Sequence, residues 1–325
     1  MPIVFTVDAH AGGEPCRVII GGVRPLKGSD LGKQRSDFQS RFDWLRSGLM
    51  REPRGHANMF GCLLQPPVRK TSAYGLIFFD TEGYLDGCGH GTLCSVAVWR
   101  RLYGIVELPF TIDNPDGSMS HVLSIKGDQD ASSVTIEMPP AQVLVDTVEI
   151  PGYKGVYATI AKCSNVFAIV SASDFGLGGL LTSSLALVQK KGREVMEALR
   201  PIVKQYELVT GLEIVFYEQK GSNPHLFATT IVFSGKQIDR SPCGTGSTAL
   251  FATLIKRGKI GLGDILKTMG PSKQQFTLNV AETGSTKDSA RICLNGSSYV
   301  TGVHQWVFND SDPLKLGFSL NEGIQ

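Results

Sequence analysis

The alternation of apolar and polar residues along the chain predicts many short β-strands and a few helices. Two longer stretches, Asp37–Leu49 and Leu185–Lys204, have the spacing of amphipathic helices, and the second is interrupted by Gly192 and Pro201. The fold class predicted from this pattern is α+β. Runs of β-branched and aromatic residues predict strands at Ile3–Val7, Arg17–Ile20, Leu76–Asp80, Val134–Met138, Val148–Ile150, Thr230–Phe233, Phe276–Val280, Ala290–Leu294 and Ser298–Val303.

The chain contains one internal repeat at about half its length. The segment Cys88–Ala97 aligns without a gap with Cys243–Ala252, 155 positions further on, and upstream Ile77-Phe78 aligns with Val232-Phe233. Each copy has the order strand, turn, Cys-Gly-x-Gly, helix. A period of this length exceeds that of a solenoid unit and indicates two domains with one ancestral plan. The alternative is that two unrelated strand-to-helix turns both use glycine.

The length of 325 residues also favours about two domains. We expect the linker near Pro139–Thr147, after the sequence Met-Pro-Pro. The first domain would comprise residues 1–143, completed by residues 304–325, and the second would comprise residues 144–303.

Composition excludes several classes of protein. The hydrophobic share is 42%, and 32 basic against 30 acidic residues give a net charge of +2, which argues against a nucleic-acid or membrane partner. No apolar run reaches the ~20 residues of a membrane helix. The first residues lack a basic segment and reach Asp8 early, so we expect a cytoplasmic protein. Seven cysteines without a CxxC motif favour buried free thiols over disulfides.

Cys88 and Cys243 each stand where a glycine-rich turn enters a helix. A helix N-terminus binds anions and stabilises a thiolate. This stabilisation is ~0.3–1 kcal/mol, and up to ~2 kcal/mol when partly buried. Because one pKa unit corresponds to about 1.4 kcal/mol, the thiol would be partly ionised at neutral pH. Partial ionisation suits an acid–base pair in which one cysteine is charged and the other neutral.

Two domains that face each other would bring both cysteines to one substrate. One thiolate would remove the α-proton of an anionic amino acid, and the other thiol would return a proton on the opposite face, which inverts the stereocentre. This chemistry needs no cofactor. We also expect no metal, because the series Cys88, His90 and Cys94 fits no standard zinc spacing and shows no fourth ligand. The glycines around Cys88 lack the remainder of a nucleotide-binding fingerprint.

Four further stretches carry a resemblance to a known family. The sequence resembles the proline racemase family of proline racemases, 4-hydroxyproline 2-epimerases and trans-3-hydroxyproline dehydratases. The resemblance implies two similar domains of the diaminopimelate epimerase-like fold, each a β-barrel-like sheet around a central helix. It also implies a cofactor-independent site, a small imino-acid substrate and a homodimer. The matching stretches are DAHAGGEP at 8–15, REPRGHANMF at 51–60, GYLDGCGHG at 83–91 and DRSPCGTG at 239–246.

The resemblance also bears on the reaction. Racemases and epimerases of the family keep both cysteines, whereas the dehydratases have threonine at the second position. Because Cys88 and Cys243 are both present, inversion is favoured over loss of water. Phe60 and Phe233 resemble positions where proline-specific members place phenylalanine. Aromatic side chains that line the substrate pocket offer no hydrogen-bond partner to a ring hydroxyl, and burying an unpaired hydroxyl costs about 1–3 kcal/mol. Proline is therefore favoured over 4-hydroxyproline as the substrate.

Three alternatives to proline racemisation remain. The first is a 4-hydroxyproline 2-epimerase that uses the same mechanism. The second is a trans-3-hydroxyproline dehydratase. The third is a non-catalytic binding protein or thiol redox sensor, in which Cys88 and Cys243 form a reversible disulfide. The stretch Ala161–Asn165, which stands where relatives have a Gly-Gly turn, puts the identity of the substrate in question.

The remaining residues of the two motifs are candidates for substrate binding. We expect the backbone N–H groups of Gly89, Gly244 and Thr245 to bind the substrate carboxylate. His90 would contact the carboxylate or tune Cys88, and its alternative role is helix capping. Asp239 would accept a hydrogen bond from the substrate ammonium, and its alternative role is turn capping.

Overall fold

The protein divides into two compact units. A computed structural model describes residues 3–104, 107–204, 211–233, 237–261, 263–282 and 291–319. The first unit comprises Met1–Ile136 with Ser297–Gln325, and the second comprises Glu137–Gly296. Within the described residues, every helix is too short or too polar to cross a bilayer.

Each unit contains two long helices and a set of strands. The first unit carries β1 (Ile3–Ala11), β2 (Glu14–Gly21), α1 (Leu31–Met50), β3 (Phe60–Gln65), β4 (Ser72–Asp80), β5 (Tyr84–Leu85), α2 (Gly89–Tyr103), β6 (Phe110–Asp113), β7 (Met119–Gly127) and β8 (Ala131–Glu137). The second carries β9 (Gln142–Glu149), β10 (Tyr157–Cys163), β11 (Asn165–Ser171), a 3₁₀ turn (Ala172–Phe175), α3 (Leu185–Lys204), β12 (Leu212–Gln219), β13 (Leu226–Phe233), β14 (Gln237–Ile238), α4 (Gly244–Lys256), β15 (Ile265–Met269) and β16 (Gln275–Glu282). The long strand β17 (Arg291–Val307) pairs first with β16 and then with β1.

The strands of the two units pair in the same order. In the first unit β1–β2 is antiparallel, β2–β3 parallel, β3–β4 antiparallel and β4–β6 parallel. In the second unit β10–β11, β11–β12, β12–β13 and β13–β15 repeat these four relations in turn. The internal repeat found in the sequence is therefore also a repeat of topology.

One helix in each unit is buried on all sides. In α2 every residue from His90 to Val98 is buried, and in α4 every residue from Gly246 to Phe251 is buried. A helix that is hydrophobic all round belongs inside a core rather than on a surface. The other two helices cover a second, apolar face of each unit, where Phe38 of α1 and Leu199 of α3 are completely buried.

The predicted α+β class and the predicted elements are confirmed, with differences at their ends. Helix α1 begins six residues before the expected start, because Asp30 caps it by accepting a hydrogen bond from Lys33 N–H at 2.8 Å. In α3, Gly192 does not interrupt the helix. It allows close packing on β13, since a Cβ there would lie 2.6 Å from Val232 Cγ2. Pro201 lies inside α3, three residues before Lys204, and removes one hydrogen-bond donor from the helix without ending it at that position.

Part of the stretch expected as a linker is a strand. Residues 142–147 belong to β9, which pairs antiparallel with β10. The prolines that suggested a linker, Pro139 and Pro140, lie just before β9 and therefore outside its ladder. Of the predicted strand Ala290–Leu294, Ala290 lies outside the described residues.

Candidate active site

Cys88 is the N-cap residue of α2 in the first unit. Its backbone is extended, and its Sγ accepts a hydrogen bond from Gly91 N–H at 3.4 Å. A Cβ at Gly91 would lie 3.2 Å from that sulfur and 3.2 Å from a ring atom of Phe78. Glycine at this position therefore lets the first turn of the helix approach the half-buried thiol.

His90 lies in the first turn of α2 beside that thiol. Its Nδ1 is 3.2 Å from Cys88 Sγ, and the ring also hydrogen-bonds to the backbone of Pro15. Burial lowers the pKa of His90 to about 4, so the imidazole is neutral at neutral pH. An imidazole with so low a pKa can accept a hydrogen bond from the Cys88 thiol but is too weak a base to take its proton.

Phe60 and three buried thiols surround the Cys88 end of α2. The Phe60 ring meets His90 edge to face, with ring centroids 4.7 Å apart. Cys16 Sγ lies 3.9 Å from Cys62 Sγ and hydrogen-bonds with Cys94. The neighbouring thiol of Cys62 and burial raise the pKa of Cys16, and burial also raises the pKa of Cys94. All seven cysteines are free and all except Cys88 are buried, as predicted.

Cys243 is the N-cap residue of α4 in the second unit and repeats the geometry of Cys88. Its Sγ accepts a hydrogen bond from Gly246 N–H at 3.4 Å, and Thr245 Oγ1 lies 3.6 Å from it. The backbone differs, because Cys243 has a φ of +61°, which a non-glycine residue seldom adopts. Such strained conformations concentrate at functional sites.

The loop before α4 holds Cys243 through a chain of hydrogen bonds. Cys243 N–H donates to Ser241 Oγ at 3.0 Å, and Ser241 N–H donates to Asp239 Oδ1 at 2.8 Å. The Asp239 carboxyl also hydrogen-bonds with the Cys243 thiol, and only 1% of Asp239 is exposed. Burial raises the pKa of Asp239 to about 6.

A second carboxylate acts on Cys243. Glu213 of β12 is buried and accepts a hydrogen bond from Asn165 Nδ2 at 2.7 Å. Burial raises the pKa of Cys243 well above its ordinary value, and the negative charges of Asp239 and Glu213 raise it further. Cys243 is therefore a protonated thiol at neutral pH.

The structure brings most of the predicted residues together within their own units. Gly89 begins α2 and Gly244 begins α4, where backbone N–H groups have no partner within the helix. In the first unit Phe60, Gly89 and His90 surround Cys88, and in the second Asp239, Gly244 and Thr245 surround Cys243. Phe233 is half-buried at the end of β13 and pairs with Gln237 of β14, the strand that leads to Asp239. Residues 234–236 lie outside the described part of the chain.

Sequence reasoning missed Glu213, Asn165 and Ser241. A signal for Glu213 existed, because it is the one charged residue in the apolar run Leu-Glu-Ile-Val-Phe at 212–216. A charge at such a position is costly unless it is paired or used. Nothing comparable marked Asn165 or Ser241, since polar residues beside a turn are common.

Metal-ligating side chains do not converge in the described ranges. Within them, no three His, Cys, Asp or Glu side chains are placed to hold a metal ion. Cys88 has a neutral imidazole and a helix N-terminus beside it, and Cys243 has a helix N-terminus and is acted on by two carboxyl groups. These groups can exchange protons and bind an anion.

Comparison with solved structures identifies the fold. A hydroxyproline epimerase from Agrobacterium vitis, with bound trans-4-hydroxy-L-proline, superimposes with a TM-score of 0.80 at 22% identity, covering 100% of this chain and 99% of that one. The diaminopimelate epimerase-like fold predicted from the sequence is confirmed by such neighbours. The class of protein that this fold defines is that of the diaminopimelate epimerase-like proteins.

The chain belongs to the proline racemase family, whose model matches residues 6–319. A proline racemase from Clostridioides difficile is 31% identical, and the alignment covers 98% of both chains. A trans-3-hydroxy-L-proline dehydratase from Bacillus thuringiensis subsp. konkukian is 32% identical, also with 98% coverage of both. The predicted family and the predicted enzyme class are therefore confirmed.

Proposed function

We propose that this protein racemises proline without a cofactor, with Cys88 and Cys243 as the acid–base pair. The observation that carries the proposal is the matched geometry of the two cysteines. Each caps a buried helix, and each Sγ accepts the N–H of the glycine three residues on at 3.4 Å. Inversion by two bases needs one acid–base group for each face of the α-carbon, and the topological repeat supplies two cysteines.

The proposed reaction moves one proton on each face of the substrate. The Cys88 thiolate removes the α-proton, so the C–H bond breaks, an S–H bond forms and the electron pair stays on the α-carbon. The Cys243 thiol then protonates that carbon from the opposite face. The reverse direction exchanges the roles of the two sulfurs. Each transfer is general acid–base catalysis, which contributes typically ~10²–10⁴-fold.

Neighbouring groups would bind the ends of the substrate. The N–H groups at the start of α2 and α4, at Gly89, Gly244 and Thr245, would bind the carboxylate. The Asp239 carboxylate would accept a hydrogen bond from the ring ammonium. The carbanion then develops next to a carboxylate bound by two helix N-termini, which favours the planar intermediate.

The wall formed by Phe60 favours proline over hydroxylated substrates. Phe60 is 6% exposed, and its ring packs against His90. An aromatic ring offers no acceptor to a ring hydroxyl, and leaving that hydroxyl unpaired costs about 1–3 kcal/mol. We therefore place 4-hydroxyproline second as a substrate. A dehydratase is less favoured, because the resemblance places threonine where this chain has Cys243.

The test is a chirality-resolved assay with L- and D-proline in deuterated water. The native enzyme should interconvert the enantiomers and incorporate solvent deuterium at the α-carbon. Cys88→Ser and Cys243→Ser should each lose about 10²-fold or more of the rate. Cys163→Ser is the matched control, since the buried sulfur of Cys163 donates a hydrogen bond to the Pro139 carbonyl at 3.5 Å, which a serine hydroxyl can also donate.

Two results would contradict the proposal. The first is that either serine variant keeps more than about a tenth of the native rate. Such a loss is smaller than the loss expected when a general acid–base group is removed. The second is a higher kcat/KM for trans-4-hydroxy-L-proline, or loss of water from trans-3-hydroxy-L-proline. Activity only in the disulfide form would instead support a thiol sensor.

A further inference from the structure

The peptide group between Pro242 and Cys243 is held at both of its polar atoms by hydroxyl side chains. Its carbonyl accepts a hydrogen bond from Ser247 Oγ at 2.8 Å and another from Thr229 Oγ1 at 3.2 Å. Its N–H donates to Ser241 Oγ at 3.0 Å. All three residues that supply the hydroxyls are completely buried. Because a peptide group is planar, fixing its oxygen and its N–H fixes the whole group.

This peptide group determines the unusual backbone of Cys243. The angle φ of Cys243 describes the rotation of that group about the bond from N to the Cα that carries the side chain. Its value of +61° is one that non-glycine residues seldom adopt, so surrounding contacts must keep the backbone there. Cys88, at the same position of the repeat, has a φ of −152° and an extended backbone. The hydroxyl groups therefore act on the torsion that differs between the two cysteines.

Ser247 makes a different contact from its counterpart in the first unit. The counterpart, 155 positions earlier, is Thr92, whose Oγ1 donates to the Cys88 carbonyl at 2.8 Å. Such a bond, four residues back, is the usual one for a hydroxyl in a helix. Ser247 N–H donates to the Cys243 carbonyl at 2.9 Å in the same way, but Ser247 Oγ reaches one residue further back, to Pro242. The Ser247 hydroxyl therefore supports the turn before α4 and not the helix itself.

Thr268 of β15 fixes the direction of the Ser247 hydroxyl. The two oxygens are 2.8 Å apart, and Thr268 is completely buried. A serine hydroxyl has one proton and a carbonyl can only accept, so Ser247 donates to Pro242 and accepts the proton of Thr268. Gly270, just after β15, packs against the same turn, since a Cβ there would lie 2.4 Å from the backbone carbon of Ser241. Strand β15 thus holds the turn through both hydrogen bonding and close packing.

We propose that Ser247 is a positioning residue for Cys243. By holding the Pro242 carbonyl, it keeps the backbone of Cys243 at a positive φ and thereby sets the direction of the sulfur at the start of α4. This inference rests on the two-thiol function proposed above, in which Cys243 must meet the α-carbon of the substrate. A misplacement of about 1 Å can cost about 10²-fold in rate.

The experiment compares Ser247→Ala with Ser95→Ala in the central helix of the first unit. Both serines are completely buried, and each donates to a backbone carbonyl at 2.8 Å. Each also contacts one side-chain hydroxyl, which for Ser95 is that of Tyr74 at 3.1 Å. Because the lost hydrogen bonds are of the same kind, both variants should lower the urea midpoint of unfolding by a similar amount.

Only Ser247→Ala should impair turnover of proline. Its kcat should fall at least about tenfold, because the sulfur of Cys243 is no longer held in place. Its KM should change by less than about threefold, because the N–H groups at the helix starts that bind the carboxylate remain. Ser95→Ala should leave both constants near their native values.

A second measurement follows the two sulfurs without substrate. Alkylation of Cys243 and Cys88 by iodoacetamide is measured in each variant by peptide mass spectrometry. Cys243 is 5% exposed, so releasing its backbone in Ser247→Ala should raise its alkylation rate at least about threefold. The rate of Cys88 in the same molecules should stay unchanged, and Ser95→Ala should change neither rate.

Two results would overturn the proposal. One is an unchanged kcat in folded Ser247→Ala, and the other is alkylation of Cys243 that rises no more than it does in Ser95→Ala. If Ser247→Ala does not fold, Thr229→Val decides in the same way. It keeps nearly the same side-chain volume and removes the other donor to the Pro242 carbonyl.

The readout without substrate separates this inference from the proposed function. A selective rise in Cys243 alkylation, with no turnover of proline by the native protein, would refute the function and leave the role of Ser247 in holding Cys243 standing. Turnover of proline without that selective rise would refute this inference and leave the function standing.

Discussion

Replacing Asp239 by asparagine should stabilise the protein while impairing it as an enzyme. Burial raises the pKa of Asp239 from 3.8 to about 6, so between these pH values the folded chain binds a proton more tightly than the unfolded chain. The free energy of unfolding therefore falls as the pH rises through this range. A pKa difference of about 2 at about 1.4 kcal/mol each gives about 3 kcal/mol. Asparagine has no charge to desolvate and avoids this loss.

The assay is urea unfolding of the native chain and Asp239→Asn at several pH values between 4 and 8. The stability of the variant relative to the native chain should increase with pH by up to about 3 kcal/mol and level off above pH 6. The amide oxygen of the introduced asparagine can still accept the N–H of Ser241. Racemisation should fall about tenfold or more, since a hydrogen bond to a charged group is worth ~1.5–3 kcal/mol.

A control with the opposite sign is available at the start of α1. The backbone N–H of Lys33 lowers the pKa of Asp30, so its stabilising effect is present at neutral pH and is lost as the pH falls. Asp30→Asn should therefore lose stability relative to the native chain as the pH rises. A relative stability of Asp239→Asn that stays constant or falls with pH would refute the argument from burial.

Further predictions concern the support of the two sites. Gly270→Ala should destabilise the protein by about 1–3 kcal/mol and lower activity, because its Cβ would lie 2.4 Å from the backbone carbon of Ser241. Gly263→Ala, with open space around it, should do neither. Arg17→Met should cost about 3–5 kcal/mol in urea unfolding, because the nearly buried guanidinium binds the Asp8 carboxylate at 2.8 Å. Lys33→Ala is the comparison, because the ion pair of Lys33 is exposed. Its free energy of unfolding should change by less than about 1 kcal/mol.

Much of the fold follows from local pattern in the sequence. Short runs of β-branched and aromatic residues predict the strands at Leu76–Asp80 and Thr230–Phe233. The helix Leu185–Lys204 was predicted with the observed bounds. Element ends were less predictable, because they depend on single caps such as Asp30. The role of Gly192 was not predictable, because its close neighbour Val232 is 40 positions away.

The sequence by itself determined the repeat, the two cysteines at helix starts and the family, because each is written in contiguous motifs. Only the tertiary structure decided the environment of each thiol. Cys88 and Cys243 both stand at the start of a helix, so this local property does not distinguish them. Their neighbours differ through contacts between distant segments: His90 beside Pro15 in one unit, and Glu213 held by Asn165 in the other. Charge and burial act through space, so the proton affinity of a sulfur depends on which strands fold against it.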